Sequence, residues 1–499
     1  MNELLTPAEM AEADRLAGLS IGGTYGLMLR AGEVLAREIF QRYAEAAGFD
    51  VLCGPGNNGG DGYVLATILH GHSLRVRIWR VSDPAAGTDG ARVAADCPVD
   101  RFPLETFQPN SERIVIDALF GAGLARPLEG VYAEVLQRCA EARARIVAVD
   151  LPSGVSGDSG QILGVAAPSE LTVTFFRKKP GHLLFPGRSL CGAIVVADIG
   201  IPDNVLRSID CQCRENLPAT WQHLLPRPSF DSHKYRRGHV GVFSGPATMT
   251  GAARLSALAA ARIGAGAVTM LSPASALAVN AMHLTSIMLR RVEAEEELAA
   301  FLSEREPAAL VLGPGFGVGV KARAFADLAL RFSARSERRL KMVLDADALT
   351  SFSQEPEALF DAIRKNGGGA VLTPHEGEFA RLFPDLAAAA DLSKLQRARL
   401  AASRSHAVIV LKGADTVIAE PQGLTAINSN GTPYLATAGS GDVLAGMIAG
   451  LMGQGMPSFE ASCAAVYLHA ETGRFVGPGL IAEDLPDRLP VVLRSYFEV

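Results

Sequence analysis

The residue run Gly54-Pro55-Gly56-Asn57-Asn58-Gly59-Gly60-Asp61-Gly62 follows the apolar stretch Val51-Leu52-Cys53 and leads into a helical pattern from Tyr63. Glycines in series let several backbone N–H groups turn toward one point. The positive end of the following helix adds to the attraction for a phosphate or pyrophosphate. A plain strand-to-helix turn would tolerate the glycines, but it has no need of two asparagines and an aspartate. Two further apolar runs end in the same way. Asp117 closes Ile114-Val115-Ile116 and precedes Ala118-Leu119-Phe120-Gly121-Ala122-Gly123, and Asp150 closes Ile146-Val147-Ala148-Val149 and precedes Leu151-Pro152-Ser153-Gly154. Ligands of open parallel sheets sit beyond the carboxyl ends of the strands, so these three loops are expected to converge. Asn58, Asp117 and Ser153 would then offer oxygens suited to a hard cation such as potassium. Each carboxylate taken singly also reads as a helix N-cap.

In the second half the densest signal is Ala438-Gly439-Ser440-Gly441-Asp442 ahead of the helical run Val443-Leu444-Ala445-Gly446. Bare N–H groups at such a helix start attract an anion. Asp442 beside them can take a proton from an attacking hydroxyl while they hold phosphoryl charge. The same aspartate would also serve as a cap of a glycine-rich turn. Lys412-Gly413-Ala414-Asp415-Thr416 follows one apolar run, and Thr373-Pro374-His375-Glu376-Gly377-Glu378 follows another. Charge and backbone donors in the first suit nucleotide phosphates. A lone histidine is more often a cap or packing residue, yet His375 at a strand's carboxyl end is a candidate substrate contact. Gly313-Pro314-Gly315-Phe316-Gly317 and Gly251-Ala252-Ala253 are small enough for close approach of a ligand, or equally of another helix.

Short β-branched runs alternating with Ala/Leu-rich helical patterns must hold these residues, which predicts parallel sheets covered by helices on both faces. The expected strands are 51–53, 75–79, 114–117, 146–150, 171–175 and 193–198, then 240–244, 267–271, 309–313, 342–345, 370–373, 408–412 and 416–419. Helices are expected at 7–15, 27–43, 63–70, 131–143, 252–263, 320–332 and 443–451. A chain of 499 residues exceeds one ordinary core. Pro218, Pro226 and Pro228 interrupt the pattern where two α/β blocks meet, which reads as a linker. The expected division is 1–215, a linker at 216–228, and 229–499.

A net charge of −6 with scattered basic residues argues against nucleic-acid and anionic-membrane binding. The seven cysteines form no paired framework, since Cys211-x-Cys213 has no second pair, and this fits a reduced cytoplasmic compartment. Glu3, Glu9, Glu12 and Asp14 argue against a signal or transit peptide, and no apolar run reaches the length of a membrane span.

The 54–62 run, Asp117 to Gly123 and Asp150-Leu151-Pro152-Ser153-Gly154, with Leu5-Thr6-Pro7-Ala8-Glu9-Met10, Leu27-Met28 and Ala31-Gly32, resemble the NAD(P)H-hydrate epimerases over residues 1–215. The resemblance implies a Rossmann-like three-layer domain with bound potassium that interconverts the R and S forms of hydrated NAD(P)H. On this chain it implies nucleotide contacts from Asn57, Asn58, Gly59, Gly60 and Asp61 and from Gly121, Ala122, Gly123, Leu124, Ala125, Arg126 and Pro127. It implies potassium at Asn58, Asp117 and Ser153, and Asp150 against the hydrated ring. Inversion there needs a group that gives and takes a proton, which a carboxylate does if burial raises its pKa toward neutrality. Lys179, in the basic run Arg177-Lys178-Lys179, is a weaker candidate for a second contact; such a run usually reads as a solvated loop, so it stays outside the expected catalytic residues. Leu29 stands where an acidic residue is common in relatives.

Gly439 to Asp442 with Lys412 to Thr416 resemble the ribokinase-like superfamily, and His233-Lys234, Gly313 to Gly317 and Thr373 to Glu378 narrow the likeness to NAD(P)H-hydrate dehydratases over residues 225–495. This implies a ribokinase-like three-layer domain with nucleotide at Lys412, Gly413, Ala414, Asp415, Thr416 and Gly441. It also implies hydrate contacts at Ala253, Gly315, His375 and Asp442, and magnesium with ADP or ATP. ADP is favoured, and a homo-oligomer is expected. Two features depart from the pattern: Ser440 replaces a threonine, and Tyr235-Arg236-Arg237-Gly238 follows Lys234. The rival reading is a ribokinase-like kinase of a small molecule, with a first half that does no chemistry.

Overall fold

The computed structural model describes residues 2–21, 23–230, 233–234, 237–333, 339–365 and 369–497; Tyr235 and Arg236 lie outside them. The chain divides into two compact units, Met1–Cys213 and Arg214–Val499. Among the described residues no helix is long and apolar enough to cross a membrane.

The first unit is built on seven parallel strands: β1 Phe49–Cys53, β2 Val76–Arg80, β3 Arg101–Pro103, β4 Ile114–Ala118, β5 Ile146–Val149, β6 Leu171–Phe175 and β7 Ala193–Ala197. Their order is β3-β2-β1-β4-β5-β6-β7. Every residue of β1, β4, β5 and β6 is buried, as expected for strands covered on both faces. One layer packs Leu35, Ile39, Leu65 and Val173 on one side, and another packs Leu119, Val135 and Leu136 on the other. Burying each such side chain contributes roughly 1.5–3 kcal/mol. The order reverses direction between β1 and β4, so the connections leaving those two strands diverge and open a crevice at their carboxyl ends. The first helix, Pro7–Ile21, starts where Thr6 and Glu9 cap each other, with Thr6 N–H donating to Glu9 Oε2 (2.7 Å) and Glu9 N–H donating to Thr6 Oγ1 (3.2 Å).

One expectation is corrected here. The helix after β1 spans Asn57–Gly71, so Asn57 to Gly62 form its first turns rather than a loop ahead of it. Intrinsic propensity places glycine and asparagine outside helices, but tertiary packing overrides it. A Cβ on Gly59 would lie 1.9 Å from the Gly54 carbonyl oxygen, and one on Gly62 would lie 2.8 Å from Ala118 Cβ. These glycines let the helix press against the ends of β1 and β4.

The second sheet comprises β8 Cys213–Glu215, β9 His239–Phe243, β10 Ala267–Ser272, β11 Met288–Arg291, β12 Ala309–Leu312, β13 Lys341–Leu344, β14 Ala370–Leu372, β15 Val408–Leu411, β16 Val417–Ala419 and β17 Thr425–Ile427. The sheet order is β11-β10-β9-β12-β13-β14-β15-β16-β17-β8. Pairing is parallel from β11 through β15 and antiparallel at β15–β16 and β16–β17. The order reverses between β9 and β12. The apolar helix Ser440–Gly453 is buried at twelve positions and forms the centre of the core with Ala257, Val311 and Leu468.

The proline-spaced stretch read as a linker is not a bare tether. Pro218–Trp221 is helical, and Trp221 is fully buried beside Tyr467 and Tyr496, with ring centroids 5.5 and 5.6 Å away. Prolines at a helix start end the preceding extended segment without preventing the helix that follows.

Candidate active sites at the two sheet crevices

In the first unit a cavity of about 670 Å³ opens at the β1–β4 reversal. Asp14, Asn57, Asn58, Asp61, Gly121, Ala122, Gly123, Leu124, Ala125, Arg126, Asp150 and Lys179 line it. Asp150 follows β5 with a left-handed backbone (φ 66°), a conformation that a non-glycine residue holds only under constraint. The constraint is visible. Thr174 Oγ1 (2.8 Å) and Lys179 Nζ (2.6 Å) donate to Asp150 Oδ1, and the Ala122 N–H donates to Oδ2 (2.9 Å). His182 accepts from the Lys179 N–H at Nδ1 (2.9 Å), which leaves Nε2 to donate to the Asp150 carbonyl (2.8 Å). Burial pushes the His182 pKa down to about 4, so its ring is neutral.

Two expectations change. Burial alone would raise the Asp150 pKa, but the Lys179 charge and hydrogen bond, with Ala122 and His182, hold it down to about 2. Asp150 is therefore a fixed anion and not a group tuned to neutrality. Lys179, read as part of a solvated loop, is 1% exposed and is the partner of that anion. Sequence spacing gives no sign of this pairing, which joins the end of β5 to the segment after β6.

Beside the cavity, Ser153 and Asp117 meet as expected. The Ser153 hydroxyl donates to Asp117 Oδ1 (2.6 Å), and the Ser153 N–H donates to Oδ2 (2.8 Å). Both residues are buried, and no cation pairs with Asp117 among the described residues. Burial raises its pKa, against the hydrogen bonds from Ser153 and Leu119.

In the second unit Lys412, at the end of β15, donates to Asp345 Oδ1 (2.7 Å) and lies 3.9 Å from Glu378 Oε2. Asp345 also accepts from Thr373 Oγ1 (2.8 Å). A Cβ on Gly441 would lie 3.4 Å from Lys412 Nζ, so the start of the Ser440–Gly453 helix faces that ammonium. Gly439 precedes the helix with φ 89°, a turn that suits glycine. The N–H groups of Gly441 and Asp442 have no acceptor among the described residues. Burial pushes Asp442 up to about 6; Asp345, Asp347 and Glu378 add to the rise and Lys412 opposes it. Behind the loop, Ser440 Oγ meets neutral His469 Nε2 at 3.1 Å.

The comparisons with known proteins bear on the whole length. Residues 24–181 match the family described as YjeF-related protein N-terminus, and residues 240–485 match the family described as NAD(P)H-hydrate dehydratase. The bifunctional NAD(P)H-hydrate repair enzyme of Moorella thermoacetica is 35% identical, covering 99% of this chain and 97% of its own. The chain belongs to the bifunctional NAD(P)H-hydrate repair enzyme family. The Coxiella burnetii member is 32% identical over 99% of this chain and 100% of its own. A solved ADP/ATP-dependent NAD(P)H-hydrate dehydratase of Bacillus subtilis, co-crystallised with ATP/Mg2+, is 27% identical, with a TM-score of 0.48 over 56% of this chain and 98% of that one.

Within this family member, the residues expected to bind ligand divide sharply. Asn57, Asn58, Asp61, Gly121 to Arg126 and Asp150 reach the first cavity. Gly59, Gly60 and Pro127 do not line it. Gly60 gives its N–H to the Gly56 carbonyl (3.2 Å) and packs on Met28, so no donor is left for a ligand. In the second unit Ala253 is fully buried in the first turn of Gly251–Arg262. His375 caps the helix Glu376–Leu382, accepting at Nδ1 from Gly377 N–H (3.0 Å), while its ring is exposed. Gly315 adopts φ 62° against the Met249 carbonyl. The Lys412–Thr416 loop is partly closed on itself. Gly413 N–H donates to Thr416 Oγ1 (3.2 Å), that hydroxyl donates to the Gly413 carbonyl (2.8 Å), and buried Asp415 is held by Lys394 (2.7 Å). Gly413, Asp415 and Thr416 thus offer a ligand less than their types suggested. The sequence carries no site expectation for Asp345 or Lys394, although Asp345 ends an apolar run just as Asp117 and Asp150 do, and it assigns Glu378 no role beyond its place in the Thr373–Glu378 segment.

Proposed function

We propose that the first unit interconverts the R and S forms of hydrated NADH and NADPH, and that the second unit dehydrates the S form with ADP, yielding NAD(P)H, AMP and phosphate. The observation that carries this is the start of the Ser440–Gly453 helix, where two free N–H groups, Lys412 and an Asp442 raised to about 6 converge. Asp442 takes the proton of the ring hydroxyl as its oxygen attacks the terminal phosphoryl group. The N–H groups and Lys412 meet the phosphoryl charge. Phosphate then leaves with the C–O electron pair as the ring nitrogen's lone pair forms an iminium, and loss of the neighbouring carbon's proton restores the dihydropyridine. Asp347 and Glu378, close enough to act on Asp442, fit an oxygen-preferring cation carried on the phosphates. Magnesium in that position would supply charge neutralisation.

For the first unit, the unpaired buried carboxylate of Asp117 with the Ser153 hydroxyl fits a potassium ion. The Asn58 amide nitrogen donates to the Val149 carbonyl (3.1 Å) and its oxygen accepts from the Gly121 N–H (3.3 Å), with acceptor capacity left on that oxygen. Asn58, Asp117 and Ser153 would hold the ion, whose contribution is a fixed positive charge near the substrate phosphates. A homo-oligomer in the cytoplasm completes the reading, with light scattering as the check on assembly.

The test is direct. Pure S-form substrate is supplied with ADP, ATP or neither, and recovery of near-ultraviolet absorbance is followed; pure R form without nucleotide tests epimerisation. Recovery from the S form with ADP is expected. No recovery with either nucleotide overturns the dehydratase reading, and a stable phosphorylated product identified by mass would favour the kinase.

A further inference from the structure

Four carboxyl groups line the first cavity, those of Asp14, Asp61, Asp89 and Asp150, and they are not equivalent. Asp89 accepts from Thr24 Oγ1 (2.5 Å). Asp150 has both oxygens engaged, by Thr174, Lys179 and Ala122. Asp14 and Asp61 make no hydrogen bond or ion pair among the described residues, and both line the same cavity. Asp14 stands on the first helix, Pro7–Ile21, where Pro7, Met10, Ala11 and Asp14 at helical spacing form the face that lines the cavity. That helix belongs to neither of the strand-end loops from which the site was first read.

We propose that the carboxyl group of Asp14 is the proton carrier of the first unit's reaction, protonating the ring hydroxyl as it departs and being restored when water adds to the other face. The proposal rests on the epimerase reading above. In the forward step the Asp14 proton goes to the hydroxyl oxygen, and the C–O bond breaks with its electron pair on the departing water. The ring nitrogen's lone pair closes a C=N bond. A water molecule then forms a new C–O bond on the opposite face, the C=N electrons return to nitrogen, and the proton released returns to Asp14 through the solvent of the cavity. Nothing is oxidised or reduced.

The distribution of charge suits this sequence. The fixed Asp150 anion stabilises a developing iminium, but held down to about 2 it carries no proton to give near neutrality. The charged and titratable groups that face Asp14 across the cavity are Asp61, Asp89, Arg126, Asp150 and Lys179. Burial pushes Asp14 up to about 6, with Lys179 pulling it down and Asp150 pushing it further up. Burial, with the Asp150 and Asp14 charges, raises the Asp61 pKa well above its ordinary value. Asp14, free of hydrogen bonds and ion pairs among the described residues, changes protonation close to neutrality, as an efficient proton carrier must.

The experiment uses the full chain, R-form substrate without nucleotide, and chiral separation of R and S at initial rate. Wild-type kcat/KM is expected to be level below about pH 6 and to fall above it. Asp14→Asn is expected to lower kcat by about 100-fold or more with little change in KM and to remove that pH limb, while Asp14→Glu recovers part of the rate. A loss in Asp14→Asn below about tenfold, or a limb that survives in it, overturns the proposal and leaves the epimerase reading standing. Wild-type chain with no R-to-S conversion instead overturns the epimerase reading itself. If Asp14→Asn does not fold, the wild-type profile and its displacement in Asp14→Glu decide, and a profile without the limb overturns the proposal.

Discussion

Both units bring an aspartate and a lysine together, Asp150 with Lys179 after β5 and β6 and Asp442 at a helix start with Lys412, yet the two aspartates end in opposite states. Asp150 has Lys179 at 2.6 Å and is held down to about 2. Asp442 shares its surroundings with Lys412, but Lys412 is bonded to Asp345 at 2.7 Å, and acidic neighbours help burial carry Asp442 up to about 6. Burial opposes ionisation in each case. What differs is whether the ammonium is spent on the aspartate in question or on another carboxylate. A pair in contact makes a permanent charge, and a diverted lysine leaves a titrating base.

The largest effect should come from breaking the second arrangement. Asp442→Asn keeps the shape but cannot accept a proton, so recovery from the S form is expected to fall by about 100- to 10,000-fold. R-to-S conversion by the same preparation should be unchanged. Equal loss of both activities would mean a folding defect rather than a missing base.

Breaking the first arrangement should act on stability as well as rate. Lys179→Met leaves the Asp150 charge buried without its partner, a change worth about 3–5 kcal/mol. The first unit's thermal unfolding should drop accordingly at neutral pH, with part of the loss recovered on acidification as Asp150 becomes able to protonate. The wild-type pair carries the opposite sign. A carboxyl depressed to about 2 stabilises the fold above its unfolded value, and that contribution disappears as pH falls through about 2. A first unit whose melting in Lys179→Met matches wild type would remove Lys179 from the account.

The pH dependence of dehydration sharpens the contrast. Asp442 works ionised, so S-form kcat/KM should rise about tenfold per pH unit below about 6 and level off above it. The R-to-S rate is expected to do the reverse, level below about 6 and falling above it. Parallel profiles would show that one shared group, or substrate ionisation, governs both.

The strand ends were legible because a β-branched run closing on Asp117, Asp150 or Lys412 is a local pattern, and the sheet buries those runs as the pattern requires. Lys179 and Asp14 were not legible as site residues. Each reaches the cavity through packing between segments 29 and 136 positions from Asp150, and a basic run or an acidic helix position looks the same when it faces water. The helix start at Asn57 was hidden for another reason. Its glycines are chosen for clearance against β1 and β4, and propensity alone reads them as loop. The short strands β3, β8 and β11 hold no β-branched residue to mark them.

The smallest effect separates two kinds of glycine. In Gly62→Ala the new Cβ would meet Ala118 Cβ at 2.8 Å and Cys53 Sγ at 3.1 Å, inside the close contact of helix and sheet, and the first unit should lose about 1–3 kcal/mol from overpacking. In Gly441→Ala the nearest atom is Lys412 Nζ at 3.4 Å, an ordinary contact, and alanine in a helix is favoured over glycine by about 1 kcal/mol. Gly441→Ala should therefore melt no lower than wild type. Its Cβ nevertheless occupies the gap between the free N–H groups and the ammonium, where the phosphoryl group is proposed to sit, so the KM for nucleotide should rise with little change in Tm. Calorimetry and nucleotide titration on the same samples separate the outcomes. A lowered Tm with unchanged KM would make Gly441 a packing residue like Gly62, and would move the phosphoryl group away from the start of this helix.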